Sequence, residues 1–270
     1  MTREVKMKRV LITGAAGHLG NVMRSRLNDW ATEIRLSDIA KVDDLKANEQ
    51  YVHCDLGDAD AVMSLVEGCD AIVHFGGVST ENTFDSILHG NIKGSYNLYE
   101  AARKNGVKRI FFASSNHVIG FHERETLLDA HSPMRPDSVY GLSKGFGELL
   151  AQYYYDKFGI ESALVRIGSC FPKPRNRRML STWLSEGDLT DLIKKVYAAD
   201  RLGCTVIYGV SDNPSTWWDN RYAKFIGWTP KDSSAVFENE AYLQEEQTDP
   251  NDPAVRFQGG LFVSAGHYED

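Results

Sequence analysis

The chain has 270 residues, of which 42% are apolar and 25% charged, and its formal net charge is −7. This length and apolar content suit one large α/β domain with a small appendage. The acidic balance, without long blocks of like charge, argues against nucleic acid or an anionic membrane as a partner. No apolar run approaches the roughly 18 residues that span a bilayer, and the N-terminus lacks the apolar region of a signal peptide.

Four cysteines are scattered along the chain, without Cys-x-x-Cys or a histidine spaced for zinc. Free, buried thiols are the expected state in a cytoplasmic protein. We therefore expect a cytoplasmic enzyme that uses no metal.

A glycine-rich loop follows the first predicted strand, residues 9–13, and the residues before Met7 resemble an appended tail. A Gly-x-x-Gly-x-x-Gly loop between a strand and a helix lets the backbone approach a pyrophosphate, whose charge is favoured at the helix N-terminus. Glycines also make ordinary tight turns, so the motif is weak alone. The residues predicted to bind the dinucleotide here are Gly14, Gly17, His18, Leu19 and Gly20.

The second predicted strand, residues 33–37, ends at Asp38-Ile39. A carboxylate at this position accepts hydrogen bonds from the ribose diol of adenosine and repels a 2′-phosphate, which predicts NAD over NADP. No arginine follows Asp38 directly, although Lys41 lies close enough to leave the use of NADP open.

Two further strands end in residues that suit a cofactor. The strand at 51–54 runs into Asp55-Leu56, which could also form the N-cap region of a helix at 58–67. The strand at 71–75 runs into Gly76-Gly77, whose small size would admit the middle of the cofactor.

A hydroxyl, a phenol and an ammonium are predicted to meet after the fifth strand. Ser115 follows the strand at 109–113, at the edge where α/β sheets bind ligands. Tyr140 and Lys144 are four residues apart at the start of an apolar-periodic helix, so they share one face. An adjacent ammonium favours the phenolate, which could then take a proton from a substrate hydroxyl. Tyr-x-x-x-Lys alone often occurs by chance on a helix face, so the motif by itself does not indicate catalysis.

Together these residues resemble the extended, epimerase/dehydratase-like branch of the short-chain dehydrogenase/reductase superfamily, whose active site is this Ser, Tyr and Lys. The resemblance implies an adenine contact for Asp55 and Leu56, and Gly76-Gly77 replaces the alanines usual in the superfamily. Asn91 lies in a segment similar to the family's Asn-x-x-Gly-Thr, at the cofactor site, where it is expected to brace the site rather than to do chemistry.

Six strands alternating with helices, the last at 162–167, predict a Rossmann-like, doubly wound parallel sheet. Alternation stops near residue 170. We therefore divide the chain into an NAD-binding core, 1–170, and a small substrate-binding cap with a C-terminal tail, 171–270, integrated as one structural unit. In the cap, the sequence predicts a helix near 185–199, a strand at 204–208 and a short helical piece near 219–226.

A basic run follows the sixth strand: Lys173, Arg175, Arg177 and Arg178. It could be a solvated loop. Alternatively, one arginine binds a substrate carboxylate through paired hydrogen bonds, and Arg178 is the best candidate because the apolar Met179-Leu180 would anchor it near the sheet. Asn116 and His117 can donate and accept hydrogen bonds, as a polyhydroxylated substrate requires.

The segments at 114–120, 166–170, 178–183, 217–220, 227–232 and 249–263 narrow the resemblance to the uronate dehydrogenases. That resemblance implies oxidation of the anomeric C1 of D-glucuronate or D-galacturonate to an aldaric acid lactone, with hydride transfer to NAD. It adds Ser79, Ser169 and Phe262 to the substrate site, with Ser115 and Tyr140 at the anomeric hydroxyl.

Two alternatives remain: a nucleotide-sugar epimerase or dehydratase, for which the C-terminal part is short, and a non-catalytic NAD-sensing regulator. The sequence does not rank the two uronates. Exposed faces of the helices at 84–105 and 138–158 could pair in a homo-oligomer.

Overall fold

The computed structural model describes residues 7–246 and 248–270, so the predicted tail before Met7 lies outside the described residues. A parallel sheet forms its centre, and its strands lie side by side in the order 3-2-1-4-5-6-7. The strands are β1 (Met7–Thr13), β2 (Ala31–Asp38), β3 (Glu49–His53), β4 (Ala71–His74), β5 (Arg109–Ser115), β6 (Glu161–Ile167) and β7 (Cys204–Gly209). Strand order reverses between β1 and β4, and such a switch point opens a crevice at the carboxyl edge.

Helices cover both faces of the sheet, which confirms the predicted doubly wound fold. They are α1 (His18–Arg26), α2 (Ala59–Val66), α3 (Phe84–Ile87), α4 (Gly94–Lys104), α5 (Val139–Phe158), α6 (Arg177–Thr182), α7 (Glu186–Ala198), α8 (Ala241–Gln244), α9 (Pro253–Arg256) and α10 (Leu261–Ser264). One apolar core packs α1 and α7 against the sheet, and the other packs α2, α4 and α5. A π-helical turn, Leu88–Lys93, joins α3 to α4 within the predicted helical stretch.

The strand predicted at 204–208 as part of a cap is instead the seventh strand of the sheet, parallel to β6. Helix α7 is its crossover helix, because Leu189, Leu192 and Val196 are fully buried in the core beside the sheet. The Tyr197 hydroxyl also bonds the backbone of β4 and β5, through Ile72 and Phe111. Residues 168–185 interrupt the alternation of strand and helix, which is why the sequence pattern alone ends the sheet at β6.

The remaining short elements lie at the carboxyl edge or on the surface. The piece predicted near 219–226 is a 3₁₀-helix, Arg221–Ile226. The free thiols Cys54, Cys69 and Cys170 are buried, and that of Cys204 is half-buried. Across the described ranges, no helix is long and apolar enough to cross a membrane.

Candidate active site

One cleft of about 1320 Å³ opens at the carboxyl edge of the sheet. Its wall contains every residue that the sequence predicted for catalysis, cofactor or substrate, except Asn91. Residues from β1, β2, β5 and β6, from the loops after β3 and β4, and from the C-terminal segment therefore meet in one place, although they are far apart in the chain.

The glycine loop has the backbone shape that a dinucleotide requires. Gly14 has φ +69°, and a Cβ there would lie 2.7 Å from the backbone carbon of Phe75. A Cβ at Gly20 would lie 2.1 Å from the Gly14 oxygen. Helix α1 begins at His18, so its N-terminus faces the cleft beside this loop. The loop thus fits a pyrophosphate, with the helix N-terminus supplying partial positive charge.

Asp38 is the last residue of β2 and turns toward the glycine loop. Its carboxylate accepts hydrogen bonds from the backbone N–H of Ala16 and of Ala40, each at 3.0 Å. Ile39 beside it is 68% exposed in the cleft wall. Lys41 is paired with Asp43 at 2.5 Å and does not line the cleft. A carboxylate at this edge of the cleft suits a ribose diol and disfavours an additional phosphate.

Asp55 and Leu56 follow β3 in the cleft wall. The Asp55 carboxylate pairs with His89 at 2.9 Å and accepts from the Gly57 backbone N–H at 2.8 Å. The hydrogen bond with His89 is the main cause that lowers the pKa of Asp55. Asp58, and not Asp55, is the N-cap of α2, since it accepts from the N–H groups of Asp60 and Ala61.

Neighbouring side chains leave no room for a Cβ at Gly76 or Gly77, the two glycines after β4. A Cβ at Gly76 would meet Leu56 at 2.7 Å, and one at Gly77, where φ is +116°, would meet the Asn91 Oδ1 at 2.5 Å. Asn91 is buried behind the cleft wall. Its amide accepts from the Val78 N–H at 2.7 Å and donates to the Val78 carbonyl and to the Ser143 hydroxyl. Asn91 therefore joins the loop after β4 to α5, and its side chain does not line the cleft.

Ser115, Tyr140 and Lys144 meet at the end of β5. Ser115 is the last residue of that strand, and Tyr140 and Lys144 are one turn apart on α5. The Lys144 ammonium lies 5.8 Å from the centre of the Tyr140 ring and donates to the Ala113 carbonyl at 2.9 Å. This arrangement places a phenol between a hydroxyl and an ammonium.

Burial has the largest effect on the pKa values of Tyr140 and Lys144. It raises the pKa of Tyr140 to about 12, while a hydrogen bond with Ser115 acts in the opposite direction. Burial also lowers the pKa of Lys144 to about 8. The sequence predicted that Lys144 lowers the pKa of Tyr140, and here the structure differs, because removal of the phenol from water has the larger effect.

Arg178, on α6, also lines the cleft. Its guanidinium donates to the Gln258 carbonyl through Nε at 2.8 Å and through a terminal nitrogen at 2.5 Å. With the Asn116 amide oriented to donate to the Ile167 carbonyl, the Asn116 oxygen accepts from Arg178 at 2.7 Å. Burial lowers the pKa of Arg178 to about 10.

The other cations of the basic run have different partners. Arg175 stacks on Phe171 at 3.6 Å, and Lys173 lies over Tyr242 at 5.1 Å. Arg177 is exposed and donates to the Leu243 carbonyl. Arg178 is thus the member of the run whose side chain lines the cleft.

The remaining predicted substrate residues line the same cleft. The His117 ring is stacked on Phe262, with ring centres 3.8 Å apart, and lies edge-on to Tyr140 at 5.9 Å. Ser169 shares a hydrogen bond with the Thr182 hydroxyl at 2.9 Å. Ser79 is exposed in the loop after β4. The hydroxyls of Ser79 and Ser169, the imidazole of His117, the guanidinium of Arg178 and the apolar ring of Phe262 therefore line one cleft.

Three residues that organise this site were missed by sequence reasoning. Asp137 accepts from His117 Nδ1 at 2.8 Å, Glu81 accepts from the N-terminus of α5, and Gln258 supplies the carbonyl for Arg178. Each acts through long-range contacts, so neither periodicity nor motif spacing could reveal it. The one local signal was Ser138, whose hydroxyl caps α5 at Gly141.

Residues 10–200 match the model of the NAD dependent epimerase/dehydratase family. A uronate dehydrogenase of Pseudomonas syringae pv. tomato is 53% identical over 270 residues, which are 100% of this chain and 98% of that protein. The crystal structure of a glucuronic acid dehydrogenase from Chromohalobacter salexigens has 54% identity and a TM-score of 0.96, covering 98% of this chain and 99% of that one. A mutant uronate dehydrogenase from Agrobacterium tumefaciens, complexed with NAD, has 54% identity and a TM-score of 0.94, covering 96% and 98%.

Proposed function

The chain belongs to the uronate dehydrogenases of the NAD dependent epimerase/dehydratase family, and we propose that it oxidises the anomeric C1 of cyclic hexuronic acids, D-glucuronate and D-galacturonate, to the aldaric acid lactone. The observation that carries this proposal is the shared cleft of Tyr140 and Arg178. A buried phenol beside a serine and a lysine suits removal of a proton from a hydroxyl. A guanidinium held by a carbonyl and an amide keeps its charge available for a carboxylate.

The cofactor contacts follow the cleft from β1 to β5. Bound NAD supplies an acceptor for the hydride from C1 and, when oxidised, a positive charge that lowers the pKa of Tyr140. Lys144 would bond the nicotinamide ribose. The residues proposed to hold the rest of NAD are Gly14, Gly17, His18, Leu19 and Gly20 for the pyrophosphate, Asp38 and Ile39 for the adenosine ribose, Asp55 and Leu56 for the adenine, and Gly76 and Gly77 for the middle.

Tyr140 is the proposed general base. Its phenolate takes the proton of the anomeric hydroxyl, while Ser115 holds the same oxygen and keeps it pointed at the phenolate. The C1–H electron pair leaves as hydride, and C1 becomes the carbonyl carbon of the ring lactone, so the ring stays closed. Lys144 stabilises the phenolate once it forms, because its ammonium lies on the same face of α5.

The sugar acid is oriented by its carboxylate. Arg178 binds that group, and Ser79, Asn116, His117 and Ser169 bond the hydroxyls. Phe262 closes an apolar wall over the ring. Because Arg178 and Tyr140 act on opposite ends of one small molecule, the distance between them selects a hexuronic acid over a longer or neutral sugar.

We also propose that the enzyme is cytoplasmic and forms a homo-oligomer. Large apolar side chains are exposed on α4 and α5, where they could be covered by a second copy: Tyr96 is 51% exposed, Leu142 51%, Leu149 64% and Tyr153 48%. Light scattering on the purified chain tests the assembly.

The activity is tested by following NADH formation with D-glucuronate and D-galacturonate, beside D-glucose, D-galactose and NADP. We expect reduction of NAD with the two acids, and little reduction with the neutral sugars or with NADP. Arg178→Ala should lower kcat/KM for the acids about tenfold or more, the loss expected for a charged hydrogen-bonded pair. A protein that binds NAD but is inert with both acids would contradict the proposal and favour a nucleotide sugar.

A further inference from the structure

Gln258 is fully buried and its side-chain amide is fully used. Its Oε1 accepts from the Trp218 indole N–H at 2.8 Å. Its Nε2 donates to the Glu123 carbonyl at 3.1 Å and to the Thr126 carbonyl at 2.9 Å. A buried amide with an acceptor and two donors all engaged has one orientation available to it.

The backbone of the same residue holds Arg178. The Gln258 N–H donates to the His122 carbonyl at 2.8 Å, and the Gln258 carbonyl accepts two hydrogen bonds from the Arg178 guanidinium. The next residues fit closely around this contact. The Gly259 N–H donates to the Gly120 carbonyl at 2.8 Å, and a Cβ at Gly260 would lie 2.7 Å from the Arg178 Cδ.

The guanidinium itself has only neutral hydrogen-bond partners in the described part of the chain: the Gln258 carbonyl and the Asn116 amide oxygen. Asp137 is near enough to raise the pKa of Arg178, but its carboxylate is paired with His117 instead. The charge of Arg178 is therefore left for a ligand, while its orientation is set by the Gln258 carbonyl. That carbonyl in turn is fixed by the Gln258 side chain.

We propose that Gln258 is a positioning residue for the sugar-acid carboxylate, which it affects through Arg178. The inference rests on the proposed function and adds a residue that touches neither substrate nor cofactor. An apolar side chain at this position would leave the Trp218 indole N–H and the Thr126 carbonyl without their partner, so residues 257–260 would shift to regain hydrogen bonds. A displacement of the guanidinium by about 1 Å is enough to weaken its contact with the carboxylate severely.

The test is Gln258→Met, which keeps the length and volume of the side chain but removes the amide. We expect the KM for D-glucuronate to rise about tenfold or more, while the KM for NAD stays within about twofold, because the cofactor contacts lie elsewhere in the cleft. The same substitution in an Arg178→Lys background should cost much less, since lysine cannot make the paired contact that Gln258 orients.

Trp218→Phe provides a second variant if Gln258→Met does not fold, because it removes only the donor to the Gln258 Oε1. It should raise the KM for the acid and leave the KM for NAD unchanged. Equal losses for acid and NAD, or an equal cost of Gln258→Met in the parent and in the Arg178→Lys background, would show that Gln258 is merely structural. If the parent is active and Gln258→Met leaves the KM for D-glucuronate unchanged, this inference alone is overturned. If the parent is inert with both acids, the proposed function is overturned as well.

Discussion

The carboxylate of Glu81 accepts a hydrogen bond from the backbone N–H of Tyr140 at 2.8 Å, and another from that of Val139 at 3.0 Å. Both N–H groups belong to the first turn of α5, where they have no partner within the helix. Glu81 lies in the loop that carries Ser79, so one side chain fastens the predicted substrate loop to the start of the helix that carries Tyr140 and Lys144. The negative charge also lies at the positive end of the helix dipole.

Replacing Glu81 should therefore disturb both stability and catalysis. Hydrogen bonds to a charged group are worth about 1.5–3 kcal/mol each, and we expect Glu81→Ala to lower the free energy of unfolding by about that amount. Because Tyr140 and Ser79 lose their common anchor, kcat should fall too. Urea denaturation and steady-state kinetics measure the two effects. Glu125→Ala, at an exposed position, is the control, and equal behaviour of the two variants would refute the anchoring role.

The pH dependence of the reaction should report the ionisation of Tyr140. Because burial raises the pKa of Tyr140 to about 12, the phenolate is scarce at neutral pH and increases with pH. The kcat/KM for a hexuronate should therefore rise toward alkaline pH, by up to about tenfold per unit below the apparent pKa of the cofactor complex.

Tyr140→Phe should lower kcat by about 10²–10⁴-fold, the usual contribution of a general base, and it should abolish this pH dependence. NAD binding, measured by titration, should remain. Tyr153→Phe, at a 48% exposed tyrosine of the same helix, serves as control. Activity of Tyr140→Phe within tenfold of the parent would exclude Tyr140 as the base.

Local patterns in the sequence account for most of the sheet and for the residues that line the cleft. Strand periodicity, the glycine loop and the four-residue spacing of Tyr140 and Lys144 are short-range features, so they can be recognised without coordinates. The contacts of Glu81 and Gln258 join segments far apart in the chain, and no pattern in either segment reveals them. The predicted direction of the pKa shift of Tyr140 is wrong because the spacing reveals a neighbouring charge but not the degree of burial.

The pH dependence of the free energy of unfolding should reflect the burial of Lys144. Burial lowers the pKa of Lys144 from 10.5 to about 8, so the folded chain binds fewer protons than the unfolded chain between these pH values. Stability from this group is present above the ordinary pKa and is lost as the pH falls through about 8. At about 1.36 kcal/mol per unit of pKa, the effect amounts to roughly 3 kcal/mol.

Comparison of the parent with Lys144→Met isolates this effect, since the buried thiols and tyrosines that titrate in the alkaline range are common to both proteins. Across pH 8 to 10.5, the free energy of unfolding of the parent should gain about 3 kcal/mol relative to the variant. Lys108→Met, at an exposed position, should show no such gain. A difference between parent and Lys144→Met that is constant with pH would contradict the burial effect.

Phe262 should matter for the sugar acid and not for NAD. Its ring centre lies 3.8 Å from that of His117 and 6.3 Å from that of Tyr140, and it lines the same cleft as Tyr140 and Arg178. Removal of the ring would admit water to this part of the cleft and would leave the His117 imidazole without its stacking partner. An aromatic contact of this kind is worth about 0.5–1.5 kcal/mol beyond the burial of its area.

We therefore expect Phe262→Ala to raise the KM for a hexuronate by about tenfold, since the lost stacking and the lost apolar wall act together. The KM for NAD should change by less than about twofold. Phe262→Leu should restore an apolar side chain but not the stacking on His117, so its KM for a hexuronate should lie between those of the parent and Phe262→Ala. Tyr268→Ala, at a 54% exposed aromatic residue of the same tail, is the matched control. If Phe262→Ala and Tyr268→Ala have the same kinetics, Phe262 packs the tail and does not form part of the substrate site.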